Sequence, residues 1–281
     1  MLDATSQAAA EIYPHCLNDS ADKLHSMLGF TPMDISNYAD ISKQSSKLVP
    51  WSTGTTTRNT TALACIPWAG AGATPFRPWG PVIDDAADVY GVRLAGRESR
   101  QTEPLPTSLD EVVDELVAEL VALDVQRVAL FGQCSGALLA YRTAQRLQRS
   151  GDGPEVAHLL VASQLPPRVL ADGGDESGED LTRYVPEHLR EEPELLEVLL
   201  PILAADMRLV SSYVHTPDAP LDVPLTVLYG ARDDLISRAD VDGWRHETTG
   251  RSTFREVAAA DHLFGGSAWL ELAEAIRTAL T

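Results

Sequence analysis

The stretch RVALFGQCSGALLAYRTAQRL, residues 127–147, holds two periodicities in succession. Arg127–Gly132 is a short run of apolar, β-prone residues. From Ala137 to Leu147 the apolar residues instead recur at spacings of three and four, as on one face of a helix. Between the two lies Gly132-Gln133-Cys134-Ser135-Gly136. Glycines on either side of a reactive residue permit a sharp, strained turn and close approach of neighbouring backbone. A strand that runs through such a turn directly into a helix holds the middle residue exposed at the carboxyl end of a sheet.

Working outward, the same alternation continues on both sides. Apolar, β-rich runs occur at Ala62–Pro67, Asp88–Leu94, His158–Gln164, Leu225–Gly230 and Thr253–Ala258, with helical patterns at Leu109–Leu123 and Trp269–Leu280. Strands separated by helices predict a mostly parallel sheet covered on both faces, with its active site at the strands' carboxyl ends. The fold class expected is therefore α/β, of the α/β-hydrolase kind, over residues 61–281. Residues 1–60 read as an N-terminal extension, weakly structured or with short helices such as Ala21–Leu28. TGTTTRNTT (53–61) reads as a polar linker.

One segment departs from the alternation. Residues 166–217 hold an acidic, glycine-rich turn, DGGDESGED, and helical stretches that include ELLEVLLPILAADMRLVSSY (194–213). An insertion of this length after a central strand predicts a helical lid over the site. A surface excursion without a catalytic role is the plainer alternative.

Cys134 occupies the nucleophile's position. A helix amino end favours an anion, and the anionic sulfur is the reactive form of a cysteine. Ser135 is adjacent, but its place is the one whose backbone N–H serves an oxyanion hole. The acid and the base should follow in chain order, each in a loop after a strand. LYGARDDLI offers Asp233 and Asp234, and Asp233 stands closer to the expected place. Of seven histidines, His262 in VAAADHLFGG lies between the final strand and the final helix. It would take a proton from the thiol or acceptor and return one to the leaving group. The second oxyanion donor is expected in CIPWAGAGATPFRPW, from Ala69, with Trp68 next.

Bulk properties exclude several other classes. Hydrophobic residues make up 44% of the 281, enough for a sizeable core. Twenty-two Lys and Arg against 41 Asp and Glu leave a formal charge of −19, which repels nucleic acid and anionic lipid, so neither is an expected partner. No apolar run approaches the roughly 20 residues that span a bilayer. MLDATSQAAAEIYPH lacks the basic start and apolar stretch of a signal peptide. Three widely spaced cysteines argue against a disulfide framework, and together these features predict a cytoplasmic protein. No ligand-spaced cysteine or histidine pairs suggest a metal, AGAGA fits no dinucleotide fingerprint, and no diffusible cofactor is called for.

Four blocks together resemble a family: IPWAGAGATPFRPW, VRLAGRESR, GQCSGALLAYRTA, and ELLEVLLPILAADMRLVSSY followed by VLYGARDDLI and DHLFG. In order and spacing, from about Ala62 onward, the chain looks like a type II thioesterase, the stand-alone kind that works beside polyketide and nonribosomal peptide synthetases. The resemblance implies a substrate held as a thioester on the phosphopantetheine of an acyl or peptidyl carrier protein. It implies that Glu194–Tyr213 forms a lid over that arm, with Leu199, Leu203 and Met207 among the residues facing it beside Trp68 and Gln133. It also places the family's acid at Asp233 and its base at His262. Two features depart from the family: its elbow is serine-centred with histidine before it, whereas Gln133 precedes Cys134 here, and the opening of about 60 residues is longer than usual.

A cysteine elbow resembles instead a smaller set of relatives that pass an acyl or aminoacyl group from one carrier to another acceptor. Moving an acyl group from pantetheine to cysteine exchanges one thioester for another, so the group keeps its acyl potential. Acyl transfer to a carrier thiol, amine or hydroxyl is thus the first expectation and hydrolytic editing the second. A dienelactone-hydrolase-like enzyme is a third, although such enzymes lack both the insertion and the PWAGAGATPFRPW block. A binding module with a degenerate site is a fourth, and the Cys-Asp-His order argues against it. Among the basic residues, Arg93, Arg97 and Arg100, or Arg183 and Arg190, are the expected carrier-docking groups.

Overall fold

The computed structural model describes residues 47–52, 60–172, 180–185, 189–216 and 219–281. The expected helices near Ala21–Leu28 and most of the polar linker lie outside the described residues. Seven strands form one sheet: β1 (Leu48–Pro50), β2 (Thr61–Ile66), β3 (Asp88–Val92), β4 (Arg127–Gln133), β5 (Glu155–Ala162), β6 (Leu225–Gly230) and β7 (Ser252–Val257). Their spatial order is β1-β3-β2-β4-β5-β6-β7. All pairings are parallel except that of β1 with β3. Four long helices follow in chain order: α1 (Leu109–Ala122), α2 (Ser135–Ser150), α3 (Pro193–Ser211) and α4 (Ala268–Leu280).

β4 shows why the sheet must be covered twice. Its side chains alternate in period two, as in any strand. Val128 and Leu130 enter one core with Val113 and Leu116 of α1 and Leu138 of α2. Ala129 and Phe131 enter the opposite core with Phe76, Trp79 and Leu272 of α4. Phe131 is fully buried, and its ring meets Trp79 edge-on at 5.1 Å. Truncating such a ring to alanine costs about 3–5 kcal/mol.

The six strands read from the sequence are present with ends shifted by a few residues. β1 was not among them, and it falls in what reads as extension. Three residues carry no usable periodicity, and pairing with β3 holds them: Leu48 faces Val92 and Val49 faces Gly91. The segment continues inward, since Trp51 N–H donates to Val89 O at 2.9 Å and its indole Nε1 donates to Ala73 O at 3.1 Å. Residues 47–52 are therefore built into the sheet edge and the loop after β2.

α3 belongs to the insertion between β5 and β6. Its partly buried face, with Leu199, Leu203 and Met207, meets Ala69, Val185 and Leu189 in a third apolar cluster. No helix among the described residues is long and apolar enough to cross a membrane.

Candidate active site

The turn between β4 and α2 is strained, as its glycines suggest. Cys134 sits at φ 51°, ψ −124°, a conformation that costs a non-glycine residue of order 1–3 kcal/mol and is held only by its surroundings. Those surroundings are visible. The Cys134 N–H donates to Ala162 O of β5 at 2.9 Å, and its carbonyl accepts from Ala137 N–H at 2.9 Å. On the other side, a side chain at Gly136 would place its Cβ 2.4 Å from Pro67 O and 2.5 Å from Ile66 O. Only glycine lets the elbow lie this close to the end of β2, where the Ala69 loop begins.

Asp233 and His262 come together in the loops after β6 and β7. The His262 Nδ1 lies 3.1 and 3.0 Å from the two carboxylate oxygens of Asp233. Asp233 Oδ1 also accepts the N–H groups of Leu235 (2.9 Å) and Ile236 (3.0 Å). Burial raises the Asp233 pKa, but the bond to His262, that residue's charge and these two N–H groups outweigh it and leave it below the usual value. Its neighbour Asp234 is exposed, and it is Asp233 that meets the His262 ring.

With Nδ1 taken by the carboxylate, Nε2 is the ring nitrogen left for Cys134. It is buried and has no hydrogen-bond partner of good geometry among the described residues. The sulfur nonetheless acts on it. Burial opposes a charged ring, yet the His262 pKa is pushed up to about 10 by Asp233 and by the nearby Cys134 side chain. A ring whose pKa is raised in this way can donate a proton to a leaving group.

The two N–H groups expected to serve as oxyanion donors, those of Ser135 and Ala69, have no acceptor among the described residues, which for Ser135 follows from its place in the first turn of a helix. Gln133 is fully buried, and its Nε2 donates to the carbonyl of His262 at 3.3 Å. It thus ties the histidine loop to the elbow, a structural contact in addition to its expected nearness to substrate. Leu199, Leu203 and Met207 cluster over Ala69. Trp68 does not join them: its ring packs edge-on against Trp269 of α4 at 5.7 Å, in the core below the sheet.

The expected docking role of the VRLAGRESR arginines fails. Arg93, Arg97 and Arg100 are each 3–4% exposed. Arg93 Nε bonds Glu98 at 2.7 Å, Arg97 bonds Asp206, and Arg100 bonds Glu103 and Glu115. A buried guanidinium requires such partners, so these side chains brace the site's loops and are closed to a carrier. Arg183 and Arg190 are exposed, although Arg190 also holds Val185 O at 2.8 Å.

The sequence reading overlooked Asp206, Glu98 and Tyr184. Asp206 left a signal: a lone acid between Leu203 and Leu209 on the apolar stripe of a helix marks a buried ion pair. Glu98 takes Thr74 N–H at 3.0 Å and Arg93 at 2.7 Å. The Tyr184 ring stands edge-on to His262 at 6.1 Å, and nothing in the local sequence marks it.

Comparison with known proteins bears on the fold and the family. Residues 61–280 match the thioesterase domain model. The chain belongs to the thioesterase family. It is 34% identical over 209 residues to the human medium-chain S-acyl fatty acid synthase thioesterase, covering 69% of this chain and 77% of that one. Among solved structures, it resembles the thioesterase RedJ of the prodiginine pathway in Streptomyces coelicolor, with a TM-score of 0.71 and 30% identity over 78% of this chain and 90% of that one. The type II thioesterase BorB from the borrelidin cluster superposes with a TM-score of 0.71 at 26% identity, covering 89% and 98%. The α/β-hydrolase-like thioesterase fold is thus shared, and the chain is an enzyme family member that acts on thioesters.

Proposed function

We propose that this thioesterase hydrolyses acyl thioesters held on a carrier protein's phosphopantetheine, using Cys134 as nucleophile, His262 as acid and base, and Asp233 as orienting acid. The observation that carries the reading is the buried His262–Asp233 pair, whose free Nε2 edge is turned to the elbow that holds Cys134. The Cys134 sulfur attacks the thioester carbon, and the oxygen's developing charge is met by the Ala69 and Ser135 N–H groups. His262 then protonates the departing pantetheine sulfur. Water attacks the acyl-cysteine, gives its proton to His262, and releases the acid with Cys134 restored as thiolate. No bound cofactor enters these steps.

The relatives in synthase-linked pathways favour this hydrolytic reading over acyl transfer, which stood first on sequence grounds. Acyl transfer keeps one specific support, the cysteine itself, which stores the acyl group at thioester potential. In this reading the insertion is a lid, and an acyl or peptidyl carrier protein is the partner that delivers the substrate. Incubation with acylated carrier protein, with and without a second holo carrier, separates the two. Free acid at the same rate in both mixtures supports hydrolysis. Acyl gain by the second carrier at the expense of free acid supports transfer.

A further inference from the structure

The chain holds a second buried carboxylate that the proposed chemistry does not use. Asp206, on the inner face of α3, is 4% exposed. Its two oxygens take a forked pair of bonds from Arg97, at 2.6 and 2.7 Å. One of those oxygens also accepts the Gly70 N–H at 2.7 Å. Arg97 continues the contact by donating to Ala71 O at 3.1 Å. Gly70 and Ala71 directly follow Ala69, so a single ion pair grips the oxyanion loop by an N–H and a carbonyl.

The same helix closes on that loop by packing. Gly70 has φ +84°, and a Cβ there would lie 2.9 Å from Leu199 Cδ1 and 3.5 Å from Leu203 Cβ. Glycine therefore serves both the left-handed turn and the close seat of α3. Ser135 and Asp206 line one cavity of about 10 Å³, roughly the room of one water.

We propose that Asp206, with Arg97, is a positioning residue that couples α3 to the oxyanion loop. The hole is assembled when α3 is seated and slackens when α3 lifts. Lifting α3 removes the Gly70 N–H acceptor and leaves Arg97 without its counter-charge, so the Ala69 donor loses its brace on the side away from Ser135. Acylation is thereby confined to the closed state, and a lifted α3 admits or releases the pantetheine arm without reaction. This rests on the reading of Ala69 as an oxyanion donor and Cys134 as the nucleophile.

A double variant tests it without leaving a lone buried charge. Arg97→Met with Asp206→Leu replaces the pair by apolar groups of similar size, which a core commonly tolerates. Asp206→Asn alone keeps an acceptor for Gly70. Three readouts are taken on the full chain: amide hydrogen exchange at residues 69–73 and 193–211, the rate of Cys134 acylation by an acyl-N-acetylcysteamine thioester, and alkylation of Cys134 by iodoacetamide, which needs no oxyanion hole. The double variant should exchange faster in both segments and acylate about 100-fold more slowly, the scale of a misplaced donor. Its alkylation should stay within about threefold, since that step gains nothing from the oxyanion donors. Asp206→Asn should recover part of the acylation rate. Unchanged exchange at residues 69–73 overturns the coupling. Faster exchange with acylation within about threefold of the parent overturns its link to the oxyanion hole. If the parent protein itself takes no acyl group, the functional reading falls, and the exchange comparison still decides whether α3 and the loop are coupled.

Discussion

Two carboxylates are buried, Asp233 in the loop after β6 and Asp206 on α3, and the difference between their partners separates chemistry from geometry. Asp233 holds an imidazole, a group able to give up and regain a proton, and Asp206 holds a guanidinium, a fixed cation. Each also accepts backbone N–H groups, so each fixes a loop. In the proposed mechanism, the pair that can exchange a proton serves the step in which one moves to and from sulfur. The pair that cannot stands where a backbone donor must be held still. Burying a carboxylate is thus not by itself a catalytic sign; the identity of its cation decides what it does.

Changes on the proton-moving side should be the most severe. Cys134→Ala should lower turnover of an acyl thioester by at least about 10⁴-fold, because the nucleophile and its base act as a unit. Product assays with the intact and altered proteins check this. Asp233→Asn should follow at about 10³-fold, through loss of the imidazole's tautomer and orientation. It should also bring the His262 pKa down from about 10, visible as a shifted imidazole titration in NMR spectra. On the geometric side, Arg97→Met alone should lower unfolding free energy by about 3 kcal/mol, since Asp206 is left buried without its counter-charge. Denaturant midpoints measure that loss.

pH sharpens the contrast. The His262 pKa is raised from 6.5 to about 10 on folding. Its stabilising contribution is fully present below about 6.5 and is lost as pH climbs toward about 10. The Asp233 pKa is lowered from 3.8, so its contribution is present above that value and disappears as the solution becomes more acidic. Stability curves of the parent and of His262→Gln should therefore differ most between about pH 4 and about pH 6.5, narrow through neutrality and converge above about pH 10. A constant offset between them at all pH values contradicts the raised pKa. The smallest effect expected is on docking: Arg183→Glu should raise KM for an acylated carrier about threefold and spare small thioesters. Equal change for both substrates removes Arg183 from docking.

How much of this was legible in the sequence follows from the same division. The elbow, the six longer strands and the residues Cys134, Asp233 and His262 all declare themselves through local pattern and chain order. Glycine spacing and strand–helix alternation are short-range signals. The brace is not local: Arg97 and Asp206 are 109 positions apart, and the arginine cluster read alone looks like a basic surface. Trp68 likewise resembles a substrate contact until Trp269, from the far end of the chain, is seen against it. β1 escaped because three residues have no period of their own and take their form from β3.

The central claim is that Cys134 carries the acyl group, and it is tested most directly by intact mass and peptide mapping after mixing with an acyl-pantetheine mimic under acid quench. The account predicts one added acyl group on the peptide holding Cys134, lost in Cys134→Ala and formed more slowly in Asp233→Asn. An acyl group mapped to Ser135 or Cys65, or turnover that survives in Cys134→Ala, would contradict it.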